Sequence, residues 1–558
     1  MNDSKNNFAC EKDYSGMEDD KYFEKENMSL LENISSLSLQ EIHIEAMHSR
    51  LVDSANELDV ERRKIPLLKS LFSNVAPTLY FMLDQEKVGC FPAEVCDFLK
   101  WKFCKITPKV VRDCVKRTGF KMTKKNPNWL GLWGKHMKSI EFRTICIFQK
   151  VNHFPGTFQI GRKDKLWKNF SSFQTVHGEK NFNFMPQTFI LPNDLCLLRR
   201  QWRERKRKWI VKPPASARGK GIKIISSWEE LPKKQFLVVQ RYIINPYLIN
   251  GCKFDLRVYV YVSCFDPLRV YVFNDGLVRF ATRKYSARTA TLSDKYIHLT
   301  NYSVNKQNKK VYKQPGMENN NLSHKWSLKE LWAYLHSIGL KTVHIWDEIK
   351  DIAVKTIICG EYLVNSQVRR NTKSRYNCHE LFGFDIILDS NLKPWLLEVN
   401  ISPSLQANSS TDLNIKSQLV KDLLNIAGFR LPKFLLPLEI SYLGDDFNCS
   451  KYYIPNQSLK NAKNLLLKSL SSDDIKILIE AEDEQDWLHC GIHMKKLSRS
   501  GCFERIFPST SSKPYLNFFK SRRHYNLLLD KWTQLYIRDT FQPLVGIRLL
   551  KSLTDIQV

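Results

Sequence analysis

The chemistry legible in this chain concentrates in one stretch, Gly383–Asn400, which reads GFDIILDSNLKPWLLEVN. Apolar runs at Phe384–Leu388 and Pro394–Val399 flank a polar turn at Asp389–Lys393, the pattern of a β-hairpin. A turn centred between Asn391 and Leu392 sets Asp385 opposite Glu398, and Asn400, two residues on, shares the Glu398 face. Two carboxylates facing each other across a hairpin repel unless positive charge lies between them. Three hard oxygen donors on rigid strands suit Mg²⁺, which keeps waters and takes remaining ligands from nucleotide phosphates. Incidental acids on a solvent-facing hairpin fit the same pattern, so the rest of the chain has to decide.

Charge narrows the partners. The 558 residues carry a formal charge of +29, but residues 1–61 hold 15 acidic and 5 basic residues, which leaves 81 basic and 42 acidic for the remainder. The start therefore reads as an acidic, disordered arm. The basic body is expected to seek polyanions: nucleic acid, an anionic membrane or an acidic protein surface. A merely soluble basic protein has the same composition. The 14 cysteines contain no C-x-x-C pair, which argues against a zinc ribbon or a disulfide framework and for a reducing compartment. No signal region and no apolar run of membrane-spanning length is expected, so the protein is read as cytosolic.

The elements that must position the hairpin follow from pattern. Val110–Phe120 reads as a short amphipathic element, and the aromatics around Val151–Lys165 read as core. Arg199–Lys208 sets seven basic residues around Trp202, read first as a solvated helix face. Strands at Trp209–Val211 and Ile222–Ile225 bracket a loop with Arg218, Gly219, Lys220 and Gly221, where backbone N–H groups and cations could approach an anion. It is not a Walker A loop. Phe236–Ile243 is a third strand. Lys253–Val262 alternates strictly, with Lys253, Asp255 and Arg257 on one face, either a phosphate-and-ribose surface or a solvated one. Arg269–Phe273 and Leu277–Ala281 read as a hairpin over Asp275-Gly276. His298–Lys306 reads as a polar, irregular loop. Ser327–Glu330 is a capping box opening a helix that Gly339 ends; a second helix runs from Ile345 to Cys359 and stops at Gly360; a third spans Leu413–Ala427 with Lys416 in its first turn, where a cation needs a negative partner. After Pro432 come helices at Asp474–Trp487 and Tyr525–Tyr536 and a basic patch at Lys520–His524, either a binding module or a packing extension.

In this order, WIVKPPASARGKGI, VVQRYI, KFDLRVYVYV, HLTNYSVNK and GFDIILDSNLKPWLLEVNISPS resemble the tubulin–tyrosine ligase-like family over about residues 65–430, and VNHFPGTFQIGRKDKLWKNF resembles its N-terminal domain. Within the family the chain is most similar to the branch that starts glutamate side chains. The resemblance implies an α/β, ATP-grasp-like fold divided as a disordered acidic arm (1–62), an N-terminal α/β domain (63–208), a central domain (209–300), a C-terminal domain (301–430) and a basic helical extension (431–558), a candidate microtubule-binding module. It implies ATP and Mg²⁺ as cofactors. ATP would be held by Lys212, Arg218, Gly219, Gln240, Arg241, Tyr242, Ile243, Lys253, Phe254, Asp255, Thr300 and Asn301, with Arg218 and Gln240 also near the acceptor protein. Mg²⁺ would sit on Asp385, Glu398 and Asn400, and free glutamate on Arg279, Tyr302, Ser303, Lys325 and Lys416. Ile401 stands where some branches place a histidine that touches acceptor, a departure that favours starting side chains over lengthening them.

The implied chemistry is amide formation on the γ-carboxylate of an acceptor glutamate through an acylphosphate, with no protein nucleophile. Its partners would be tubulin or microtubules through their acidic tails, free L-glutamate and other acidic proteins, with no specific nucleic acid and no membrane insertion, for a monomer in the cytoplasm on the cytoskeleton, cilia or basal bodies. Glycine or tyrosine as donor, and a non-catalytic microtubule-binding protein, remain the rivals. The pocket lysines and Arg279 suit a donor with two carboxylates. A nucleic-acid binder lacks its expected aromatic strand, zinc finger or basic zipper.

Overall fold

The computed structural model describes residues 93–204, 207–216, 218–305, 325–431 and 500–521, with short pieces at 67–68, 78–83, 91, 308, 523, 525–527, 529–530 and 533. The expected acidic arm, the Asp474–Trp487 helix and most of the 431–558 extension lie outside the described residues.

The architecture is mixed α/β. The alternation that begins at Lys253 produces a long strand, Cys252–Phe265, which turns at Asp266-Pro267 and returns as Leu268–Lys284. These two are the middle of a seven-stranded antiparallel sheet in the order Lys325–Ser327, Leu268–Lys284, Cys252–Phe265, Glu380–Leu388, Pro394–Asn400. Leu248–Ile249 and Phe503–Phe507 complete it at the sides. The apolar face of the long strand (Phe254, Leu256, Val258, Val260 and Val262) joins Ile349, Ile352 and Ile357 of the helix Val343–Asn371 in one core. The opposite face is buried as well: Tyr259 and Tyr261 have no exposed surface, so the solvated-face reading of that strand fails.

Three expectations about these elements are corrected. No hairpin forms over Asp275-Gly276. Val258 faces Gly276 while Val260 faces Val272, so the residues between bulge out of one continuous strand. The bulge aims the Asp275 carboxylate at the helix Leu328–Ser337, where it accepts from the Leu328 N–H at 3.0 Å beside the expected Ser327/Glu330 capping box. Gly360 does not stop the second helix, which runs unbroken over 29 residues to Asn371. A side chain there would meet Ile160 Cγ1 at 2.5 Å, so this glycine serves close contact with the short helix Phe158–Gly161. The His298–Lys306 stretch is more regular than expected, with helical turns at Lys295–His298 and Tyr302–Asn305.

A second, four-stranded antiparallel sheet runs Thr188–Leu191, Leu237–Arg241, Trp209–Lys212, Lys223–Ile225, with Leu198 of the helix Leu195–Glu204 in its core. A third, of short parallel strands, is ordered Lys121–Thr123, Lys100–Lys102, Gly131–Leu132, Lys150–Val151. Strand partnership crosses the expected boundaries at 208/209, 300/301 and 430/431. Thr188–Leu191 belongs with 209–241, and the 252–284 strands pair with 380–388 and 503–507. Phe518 is in the main core, and Arg523 of the expected basic patch turns inward to pair with buried Glu361 at 2.9 Å.

Candidate active site

The acidic hairpin forms between Glu380–Leu388 and Pro394–Asn400. Asp389 fixes its turn. One carboxylate oxygen accepts from the N–H groups of Asn391 and Lys393, and the other accepts from the Trp395 indole at 2.9 Å. Near the turn Ile386 faces Leu396, a register that would set Asp385 against Leu397. A bulge after Asp385 shifts the pairing so that Asp385 faces Glu398 and Gly383 faces Asn400. The expected juxtaposition is present, and the bulge creates it.

Positive charge does lie at these acids. Arg257, from the central strand, grips Asp385 through Nε at 2.6 Å and Nη2 at 3.1 Å. Arg279 reaches Asp385 at 3.0 Å and also clasps Asp255, with Nε to Oδ1 at 2.8 Å. Burial pushes the Asp385 carboxyl up, but the two guanidiniums outweigh it and hold it well below the usual carboxylate range. Lys163, at the start of the helix Lys163–His177, contacts Glu398 at 3.0 Å.

These groups floor an open cleft whose walls come from both antiparallel sheets. Lys163, Lys212, Arg218, Lys220, Arg241 and Lys253 line it against Asp255, Asp385 and Glu398, while Ile210, Ile222, Ile387 and Leu397 supply an apolar part. Thr300, Asn301, Gly219, Gln240, Tyr242 and Ile243 line it as well. Lys212 donates to Gln240 Oε1 at 2.8 Å. Burial lowers the Lys212 ammonium to about 8 against the pull of Glu398, and lowers Lys253 to about 7 against Asp255. Lys253 donates to the Tyr242 hydroxyl at 3.0 Å. Burial and the Lys253 charge bring His298 down to about 4, so it is neutral at pH 7. Its Nε2–H then donates to the Thr291 carbonyl, and Nδ1 accepts from the Tyr242 hydroxyl at 2.9 Å. In the loop, Arg218 and Gly219 have φ of 62° and 73°. A Cβ on Gly219 would crowd Asn301 Oδ1 at 3.1 Å, so the glycine lets this loop close on the Asn301 turn.

Of the residues expected at the nucleotide, Phe254 is not in the cleft. It alternates to the other face of its strand and packs on Phe280. The five residues expected to hold free glutamate do not line the cleft either; they gather beside it. Arg279 and Lys325 are cross-strand partners, and Lys325 and Lys416 both bind buried Asp412, at 2.8 and 2.7 Å. The negative partner expected for Lys416 is thus a residue of its own helix, Ser410–Ala427, and Lys416 stands in that helix's second turn rather than its first. The Tyr302 ring lies 4.2 Å from Lys325 Nζ, and Ser303 donates to the Arg218 carbonyl at 3.1 Å. Sequence reasoning passed over Lys163, His298 and Asp412. Nothing in GRKDK singled out Lys163, whereas the four-residue spacing of Asp412 and Lys416 on one helix was a usable signal.

Among the described residues, no three His, Cys, Asp or Glu side chains gather around one metal-sized point. Asp385 and Glu398 nevertheless offer hard oxygens side by side. Asn400 turns its Nδ2, a hydrogen-bond donor, toward them at 3.4 and 3.5 Å, so its amide would ligate a metal only after rotating Oδ1 inward. The two carboxylates suit Mg²⁺ bound together with phosphate oxygens.

Fold and site together describe a mixed α/β protein in which two antiparallel sheets wall a cation-rich cleft over an acidic hairpin. A sequence model of the tubulin-tyrosine ligase family matches residues 140–434, and the chain belongs to that family. It is 48% identical over 511 residues to the human tubulin monoglutamylase TTLL4, covering 87% of this chain and 41% of that protein. It is 38% identical over 485 residues to the tubulin polyglutamylase ttll-4 of Caenorhabditis briggsae, covering 84% and 78%. The human tubulin polyglutamylase TTLL5 matches at 33% over 457 residues, covering 77% and 35%. The chain spans less than half the length of the two human relatives.

Proposed function

We propose that the chain is an ATP-dependent ligase of ATP-grasp type that joins free L-glutamate to γ-carboxylates of glutamates in acidic tubulin tails, and that it starts side chains rather than lengthening them. The observation that carries this reading is the excess of cations around the Asp385–Glu398 hairpin, which matches a polyphosphate arriving with a divalent cation. The names of the similar proteins support glutamate and tubulin as substrates, and Ile401 supports side-chain initiation.

In this reading the apolar wall takes the base and Gln240–Ile243 flank it. Lys212, Lys253 and the Arg218–Gly221 loop hold the phosphates. Bound Mg²⁺ would supply Lewis-acid stabilisation of the phosphoryl oxygens from Asp385, Glu398 and Asn400. The acceptor γ-carboxylate oxygen attacks the terminal phosphorus, ADP leaves, and a mixed carboxylic–phosphoric anhydride forms on the acceptor. The deprotonated amine of free glutamate then attacks the carbonyl carbon. The attacking nitrogen gives up one proton to water as the tetrahedral intermediate collapses, phosphate departs with the C–O electron pair, and the neutral amide remains. Lys163, Lys212 and Lys253, which line the cleft, would meet the developing negative charge.

Acceptor peptide labelled with ¹⁸O in its side-chain carboxylates tests the sequence of steps. One ¹⁸O is expected in the released phosphate for each glutamate added. Unlabelled phosphate with product formed would exclude the anhydride route.

A further inference from the structure

Three buried side chains from three elements form one chain of hydrogen bonds in the wall of the cleft. Lys253 stands on the long strand Cys252–Phe265, Tyr242 follows the strand Leu237–Arg241 of the other antiparallel sheet, and His298 closes the turn Lys295–His298. Lys253 Nζ donates to the Tyr242 hydroxyl at 3.0 Å and lies 4.5 Å from the centre of the Tyr242 ring. The Tyr242 hydroxyl lies 2.9 Å from His298 Nδ1, and His298 Nε2 lies 3.0 Å from the Thr291 carbonyl.

The direction of these bonds is fixed at both ends. A carbonyl can only accept, so His298 carries its proton on Nε2, and the neutral ring keeps a lone pair on Nδ1. Tyr242 must therefore give its only proton to His298, which turns the hydroxyl's oxygen lone pairs toward Lys253. An ammonium can only donate, so every proton points the same way, from Lys253 through Tyr242 and His298 to Thr291. The neighbouring Tyr285 hydroxyl spends its proton on the Ile244 carbonyl at 2.6 Å and does not compete for the Tyr242 oxygen. Lys253 uses one N–H on Tyr242 and has two left for a ligand in the cleft it lines.

We infer that His298 is a positioning residue for nucleotide: by accepting the Tyr242 proton it makes the hydroxyl an acceptor that holds the Lys253 ammonium in place for a phosphate. The inference rests on the nucleotide-binding part of the ligase reading above. It adds to that reading a residue that acts through another.

The test is MgATP affinity of the full chain by calorimetry for wild type, His298→Leu, His298→Asn, Tyr242→Phe and the double variant His298→Leu/Tyr242→Phe, with glutamate incorporation measured beside it. Wild type that binds no ATP would overturn the nucleotide reading and this inference together. Wild type that binds ATP but incorporates no glutamate would overturn the ligase reading alone, and the affinities would still decide the role of His298. His298→Leu and Tyr242→Phe should each weaken ATP at least about fivefold, the loss of one hydrogen bond to a charged group setting the scale. His298→Asn, whose amide oxygen can replace Nδ1 as acceptor, should stay within about twofold of wild type. In the Tyr242→Phe background His298→Leu should cost less than about twofold more, because its effect passes through the missing hydroxyl. Unchanged ATP affinity in His298→Leu with only Tm lowered would make the ring a packing group and overturn the proposal. A full further loss in the double variant, or an asparagine variant as weak as the leucine one, would overturn it too. Tyr242→Phe keeps the ring under the ammonium and the His298–Thr291 bond, so unchanged affinity there overturns the proposal even if the leucine variant does not fold.

Discussion

At the scale of single residues, the account turns on charge pairs that a ligand must rearrange. Glu398 touches Lys163 and faces Asp385, so Glu398→Gln removes the proposed metal donor and leaves the fold's cores untouched. Ligation is expected to fall below detection while co-sedimentation with microtubules persists; normal turnover would remove the metal assignment. Lys253 gives a second prediction. Burial holds it near 7, below its ordinary 10.5, so the empty protein gains stability as pH rises from 7 toward 10.5. Phosphate favours the charged ammonium, so nucleotide binding at pH 8 should take up protons and weaken as pH climbs above 7. Calorimetry in buffers of different protonation enthalpy reads this directly, and binding without proton uptake would place Lys253 away from the phosphates. The residues of the hairpin were legible because type and spacing coincide there. Arg257 was read as part of a strand face and Arg279 as a donor contact, but their grip on Asp385 was not legible, since it depends on which strands lie side by side.

Elements were legible where a pattern has one physical meaning. The strict alternation after Lys253 and the Ser327/Glu330 box each gave the right element. Asp-Gly and Gly360 misled because the same residues serve two purposes. Asp275 ends no strand; it caps the neighbouring helix, and Asp275→Ala is expected to cost about 1 kcal/mol, read as a shifted denaturant midpoint. At Gly360, contact with Ile160 outweighs helix propensity. Gly360→Val should therefore destabilise by roughly 1–3 kcal/mol through overpacking. A stabilised variant would show that the two helices can separate freely there. The bulge after Asp385 could not be read from sequence, since no residue type signals it.

For the whole molecule, the family-like segments suggested a core ending near 430. The structure instead draws Phe503–Phe507, Phe518 and Arg523 into the main sheet and core. Buried Phe503, Ile506, Phe507 and Phe518 are worth roughly 2 kcal/mol each, on the order of a domain's entire stability. A chain ending at Leu431 is expected to be insoluble or to melt well below the full chain, and a stable, active truncation would contradict this. Partnership across such distances in sequence leaves no local pattern to read. Charge did carry information at this scale: the basic body and the cation-rich cleft both fit an acidic tail approaching bound ATP. The central claim is tested most directly by ATP-dependent incorporation of labelled glutamate, glycine and tyrosine into microtubules, run beside microtubules whose acidic tails have been removed by protease. The account expects glutamate alone to be incorporated, and only when tails are present. Incorporation of glycine or tyrosine, of glutamate into tail-less microtubules, or of none of the three with binding intact, would contradict it.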